Sequence, residues 1–237
     1  MVYPTTAAQT NGAGIVAKGY GTTASYVLDV VKSGSKYYFR AYAGSSSHQV
    51  TSTTSLSPNV WFPVAAVYDP AEGSLRLYVD QTNPVVRTGV PAVPTNAHDV
   101  SIGSRESSST SGYDLSFKGH LDEVQIWDRP LAREEIRAYF NATTYPSSSA
   151  TSTLAWLDME TRDAAGTLFD FGGSRRTGVS TGTQVVEGRT GLARAFGGTD
   201  YVVLQATNGL SFSSTGVTLA AYVKVSAYPA ADVALVS

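Results

Sequence analysis

Cysteine is absent from the 237 residues. Disulfides, thiol nucleophiles and thiolate metal sites are therefore excluded together, and the chain must hold itself by packing. The compartment stays open, because a cysteine-free chain suits oxidising and reducing surroundings alike. Charge is scarce as well: Asp, Glu, Lys and Arg make up 15% of the chain, against roughly 25% in an average soluble domain. Seventeen Lys and Arg oppose nineteen Asp and Glu, a formal charge of −2 with no long run of either sign, so the footprint of a nucleic-acid binder is missing. No secretory hydrophobic stretch follows Met1, and the apolar segment near the end is broken by Lys224, Ser226 and Pro229, so nothing reads as a membrane span. His48, His98 and His120 show no H-E-x-x-H or i, i+4 pairing, which leaves zinc unsupported. There is no G-x-S-x-G elbow, and the Gly172-Gly173 and Gly197-Gly198 pairs lack the Lys-Ser/Thr ending that cradles phosphate.

What the chain does have is the material of strands and turns: 22 glycines, 14 tyrosines and many Ser and Thr. Ser25–Val31 and Tyr37–Ala43 are β-rich segments divided by Lys32–Lys36, which carries hairpin chemistry. Trp61–Asp80 reads as a second hairpin over Pro70 and Gly73. The Thr/Ser cluster at Thr51–Ser57, the proline-bearing residues 81–99 and the polar Arg105–Gly112 read as connections, and long connections of this kind often carry ligand contacts. From Leu121 a period-two pattern predicts a strand, with Leu121, Glu123, Gln125 and Trp127 on one side and Asp122, Val124, Ile126 and Asp128 on the other. Pro130 then suits a first helical turn, Glu134 and Glu135 its positive end, and Ile136, Tyr139 and Phe140 fall at helical spacing. Ala132 stands where a Ser or Thr would cap, a deficit of about 1 kcal/mol.

The stretch G-x-L-D-E-V-x-I-W-D-R-x-L followed by E-E-I, from Gly119 to Ile136, resembles the closing segment of laminin-G-like domains, relatives of concanavalin A and the pentraxins. Trp61–Asp69 with Gly73–Asp80 is similar to that family's central hairpin, and Val100–Gly103 to the strand between the two. Gln81 departs from the pattern, standing where a glycine usually follows. The resemblance implies an all-β, two-sheet antiparallel jelly-roll sandwich of concanavalin A type with one short helix.

The organisation carries a surprise. Residues 1–12 read as a leader, 13–141 as the C-terminal half of such a domain, and 142–153 as a Ser/Thr-rich linker. Residues 154–237, with Leu154–Glu160, Gly191–Phe196 and Val217–Lys224, resemble the N-terminal half, so the halves stand in permuted order. Asp232–Ser237 also resembles Gly12–Ala17. Two readings follow: the chain closes on itself as a circular permutant, or its halves complement other chains in a swapped dimer or filament.

For chemistry, Asp158 and Glu160 stand two apart on an expected strand and so face one way. The related β-glucanases carry Glu-x-Asp-x-Glu there, and Trp156 in the first position removes the nucleophile, which argues against a glycosidase. The resemblance instead implies a structural calcium near the junction of first and last strands, with Asp122 and Asp158 as ligands and Asp170 a third. The plainer alternative is that Asp122 accepts turn hydrogen bonds. Tyr37, Tyr42 and Tyr113 lie beside polar loops and are the candidates for stacking against a sugar. The expectation is a non-catalytic binding or adhesion module, extracellular or at the cell surface, partnering a glycan or an extracellular protein. Self-association by half-domain exchange is the alternative.

Overall fold

The computed structural model describes residues 9–21, 24–80, 82–93, 95–142, 153–161, 166–173, 175–204, 210 and 216–225. These form two antiparallel sheets packed face to face, with one α-helix on an outer face. The first sheet runs from β11 (Thr167–Phe169) through β12 (Thr177–Thr181), β15 (Tyr201–Leu204), β8 (Val100–Ile102), β1 (Ala13–Lys18), β2 (Tyr26–Ser33) and β3 (Lys36–Ala43) to β4 (Gln49–Ser55). The second runs from β13 (Gln184–Glu187) through β14 (Leu192–Gly197), β9 (Lys118–Trp127), β16 (Val217–Val225), β5 (Trp61–Asp69) and β6 (Ser74–Val79) to β7 (Val85–Thr88), with β10 (Thr153–Leu157) also on β9. Strands from both pieces of the sequence thus enter both sheets.

Alternation places one residue in two inside. Leu28, Phe39 and Ile102 from the first sheet meet Val64, Leu77, Leu121, Ile126 and Leu219 from the second in one continuous core. Each such side chain contributes about 1.5–3 kcal/mol on full burial. A smaller cluster lies outside the second sheet. There α1 (Arg133–Asn141) sets Ile136, Tyr139 and Phe140 on Ala65, Val67, Trp127 and Tyr222. The Tyr222 hydroxyl lies 2.8 Å from the Phe140 carbonyl and 3.1 Å from that of Tyr139, so the Phe140 carbonyl at the helix end finds a donor, while the Tyr139 carbonyl also accepts from the Ala142 N–H at 3.2 Å.

Several expectations need correction. Thr51–Ser57 is not a connection: residues 49–55 form edge strand β4, because Val50 and Ser52 turn inward while the intervening hydroxyls face water. Within residues 81–99 lies β7, an edge strand whose side chains are mostly exposed and so carry no hydrophobic alternation. The alternation of β9 is reset at Glu123, which takes φ +50 opposite a register shift on β16. This bulge puts Leu121, Val124 and Ile126 together in the core. Pro130 precedes the helix rather than opening it; Ala132 is the N-cap, and the Leu131 N–H is taken by the Thr218 hydroxyl at 2.9 Å. After β6 the left-handed position falls on Asp80, at φ +53. Gln81, most of the leader, the linker from 143 to 152 and Asp232–Ser237 lie outside the described residues.

At the cap only half of a reciprocal pair exists: Glu135 accepts from the Ala132 N–H at 2.9 Å, and no side chain answers from position 132. Ala132→Ser supplies that oxygen and is expected to raise stability by about 1 kcal/mol, read from the midpoint of urea unfolding at unchanged m.

Candidate functional site

Two places gather polar side chains. The first is built on the β9 bulge. Asp122 is wholly buried, and its Oδ2 accepts from the backbone N–H groups of Arg189 at 2.8 Å and Thr190 at 3.3 Å. Its Oδ1 is buried with no hydrogen-bond partner among the described residues. Glu160 accepts from the Leu192 N–H at 3.0 Å, so these two carboxylates hold the two ends of one turn before β14. Glu123 accepts from the indole N–H of Trp156 at 2.6 Å, while its carbonyl takes the Tyr139 hydroxyl at 2.5 Å.

Burial dominates the electrostatics of this cluster. It pushes Asp122 up to about 7, against the pull of the backbone donors and with added repulsion from Glu160. Burial likewise pushes Glu123 up to about 8, helped by Asp122, Asp158 and Glu160 and opposed by Trp156. Asp158 is also raised, by burial first and then by Glu160. Four carboxylates therefore share one field, and the buried ones resist ionisation.

Asp170 stands apart from them. Its Oδ1 accepts from the N–H groups of Trp156 at 2.8 Å and Gly172 at 2.7 Å, and its Oδ2 from Arg176 at 3.1 Å. It is an organiser of the turn after β11, spent on backbone. The expected strand through Asp158 and Glu160 is also corrected: β10 ends at Leu157, and Met159 takes φ +65 with its side chain in the core. Among the described residues no three His, Asp or Glu side chains converge to hold a metal ion. A hard cation here would have Asp122 Oδ1 as its open ligand and would draw further oxygens from carbonyls and water.

The second place is the outward face of the first sheet. Asp29 on β2 is fully buried between two guanidinium groups. Arg40 on β3 grips it with Nε on Oδ1 at 2.9 Å and Nη2 on Oδ2 at 2.5 Å, and Arg105 Nε lies 3.2 Å from Oδ2. The Arg40 guanidinium lies over the Tyr42 ring, 5.3 Å from its centre. Beside this network opens a groove of about 290 Å³, lined by Asn11, Arg40, Tyr42, Ser46, Arg105 and Ser107.

Comparison with known proteins is decisive at this point. The family profile Laminin_G_3, described as the concanavalin A-like lectin/glucanases superfamily, matches residues 2–137. The chain belongs to this superfamily. The rat and mouse proteins named "Sushi, von Willebrand factor type A, EGF and pentraxin domain-containing protein 1" are each 25% identical to it over 150 residues. That alignment covers 59% of this chain and 4% of each relative. Strands β10 to β16 lie beyond the matched span.

Within this concanavalin A-like frame the three tyrosines part company. Tyr37 points inward on β3 and lies in the main core, so it presents no ring to a ligand. Tyr42 points outward, yet only 2% of it is exposed, beneath Arg40. Tyr113 is half-buried and packs on Tyr201 with ring centres 4.7 Å apart. The sequence reading missed Asp29, Arg40 and Arg105, whose separation of 76 residues hides their meeting. The parity of Asp29 and Arg40, outward positions on adjacent strands of a hairpin, was the available signal.

Glu123 yields a test. With an ordinary value of 4.5 and a folded value near 8, the native chain keeps a proton that the unfolded chain has released. Its contribution to stability is complete below pH 4.5 and is lost as pH rises through 8. Glu123→Gln, which still offers Trp156 an acceptor, is expected to flatten the fall in stability between pH 5 and 8 by at least about 1 kcal/mol, measured by urea unfolding across that range.

Proposed function

We propose that the chain is a non-catalytic extracellular binding and adhesion module that takes glycans on the outward face of its first sheet. The observation that carries this reading is the groove beside Tyr42, where amide, hydroxyl and guanidinium groups surround an open volume of about 290 Å³. Such a lining suits a polyol ligand, which asks for many directed hydrogen bonds. Hydrolysis is disfavoured by the condition of the acids: Glu123 is tied to Trp156, Asp122 to backbone amides, and both are buried. The extracellular setting is supported by the sushi, EGF and pentraxin domains named in the relatives. A glycan array followed by titration calorimetry tests the reading. Binding of a defined subset supports it, and an array blank at millimolar ligand overturns it.

Calcium is proposed as a structural ion on Asp122 and Asp158. The buried Asp122 Oδ1, without a hydrogen-bond donor among the described residues, supports this. Asp170 is left out of the set, because its oxygens already serve three amides. Millimolar calcium is expected to raise Tm by about 3 °C or more, and Asp122→Asn to abolish that shift. An unchanged Tm in calcium and in chelator removes the ion from the reading.

A second reading is exchange of the two pieces between chains. It would reuse, between copies, the antiparallel pairing of β14, β16 and β10 with β9, and of β15 with β8, which here is made within one chain. Light scattering over a dilution series separates the two. A monomer at all concentrations removes exchange, and an oligomer that resists dilution favours it.

A further inference from the structure

Two tyrosines from opposite pieces of the chain meet at the first sheet. Tyr113 stands in the connection between β8 and β9, and Tyr201 opens β15, the strand paired with β8. Their ring centres lie 4.7 Å apart with the planes tilted by 36°, a separation at which the two rings touch. Neither ring is fully buried, so the pair is reachable from solvent. Both backbones are anchored. The Tyr113 carbonyl accepts from the hydroxyls of Ser104 at 2.8 Å and Ser116 at 3.2 Å, and Tyr201 lies opposite Thr181 in the β12–β15 ladder.

A second tyrosine pair supplies the contrast. Tyr139 and Tyr222 have ring centres 5.7 Å apart, but they are 7% and 1% exposed, and their hydroxyls are spent on the carbonyls of Glu123 and Phe140. That pair belongs to the helix packing. Around Tyr113 the surroundings are acidic: burial first, then Asp99, Glu106 and Tyr201, push its phenol up to about 12. The ring therefore keeps its proton at neutral pH, and it can lose an electron only by giving up that proton as well. Carboxylates whose charge already reaches the hydroxyl are the bases at hand.

We infer that Tyr113 and Tyr201 form a covalent cross-linking site, at which oxidation joins the two rings as a dityrosine. Each phenol gives up one electron and its hydroxyl proton. The two radicals couple through ring carbons beside the oxygens, and the hydrogens on those carbons shift to the oxygens and restore both phenols. The oxidant is hydrogen peroxide acting through a haem peroxidase; two electrons and two protons reduce it to two waters. In the product the early and late pieces are tied between β8 and β15, so the unfolded chain carries a long closed loop. A chain without cysteine has no disulfide to do this. The inference is independent of the glycan reading.

Oxidation of the full chain with peroxidase and hydrogen peroxide, followed by trypsin and mass spectrometry, tests it. Tyr113 falls in peptide 106–118 and Tyr201 in peptide 195–224. The expected product is these two peptides joined and two hydrogen atoms lighter than their sum, with dityrosine fluorescence in the band of monomer mass. Tyr113→Phe or Tyr201→Phe is expected to remove it, and Tyr38→Phe, a change at a half-exposed ring on β3, to leave it in place. An unchanged Tm before oxidation shows that each variant is folded. Oxidised wild-type chain is expected to unfold at a higher urea concentration than untreated chain, a shift that the two cross-link variants lose. A covalent dimer joined from Tyr113 to Tyr201 keeps the site and places it between exchanged copies. Fragment ions that put the link on Tyr222, coupling only through other tyrosines, or no linked peptide under conditions that couple free tyrosine, each overturn it.

Discussion

Strand β9 cannot complete its backbone hydrogen bonds with neighbours in sequence. One edge is shared by β14, along residues 118–121, and by β10, along residues 124–127; the other is taken by β16. Strand β8 stands likewise between β1 and β15. Without the later piece, two interior strands would present open edges of the kind that recruit other chains, and the core would lose Leu157, Phe196, Val202 and Leu219. The core is therefore a joint property of residues far apart in the chain. Its closure entropy must be met before its contacts form, which places the fold among the slower ones.

The bulge at Glu123 is the device that lets β9 change partners. It costs strain, since a non-glycine residue sits at φ +50, and it brings a carboxylate into the interior. Both costs are offset by named contacts: the Trp156 indole on the carboxylate and the Tyr139 hydroxyl on the carbonyl. Tyr222 then ties the helix end to β16. Helix, early piece and late piece therefore meet at one residue. The acid cluster around it is explained first by architecture, because Asp122 and Glu160 each hold an end of the turn that launches β14.

Much of this frame was legible in the sequence. The hairpins β2–β3 and β5–β6, strand β9, the short helix and its uncapped start all follow from alternation, turn residues and helical spacing, and the family follows from L-D-E-V-x-I-W. What escaped did so for physical reasons. Edge strands β4 and β7 bury too little to alternate in hydrophobicity. A bulge shifts phase without any glycine to announce it at Glu123. Tyr37 and Tyr42 differ only in parity, and parity becomes decisive only once the core side is known. The Asp29 network was invisible because Arg105 reaches it from a loop beyond β8.

The two polar centres are opposites in charge and in access to solvent. Around β9, Asp122, Glu123 and Asp158 crowd one space beside Glu160, and burial holds the first three toward the neutral form. Around Asp29, two guanidiniums share one carboxylate beside an open groove. In a chain with only 15% charged residues, charges are otherwise spread thinly. A buried excess of acceptors serves to position turns, as Asp122 and Glu160 do for the one before β14. The acid cluster therefore belongs to the framework, and the open groove lies on the first sheet.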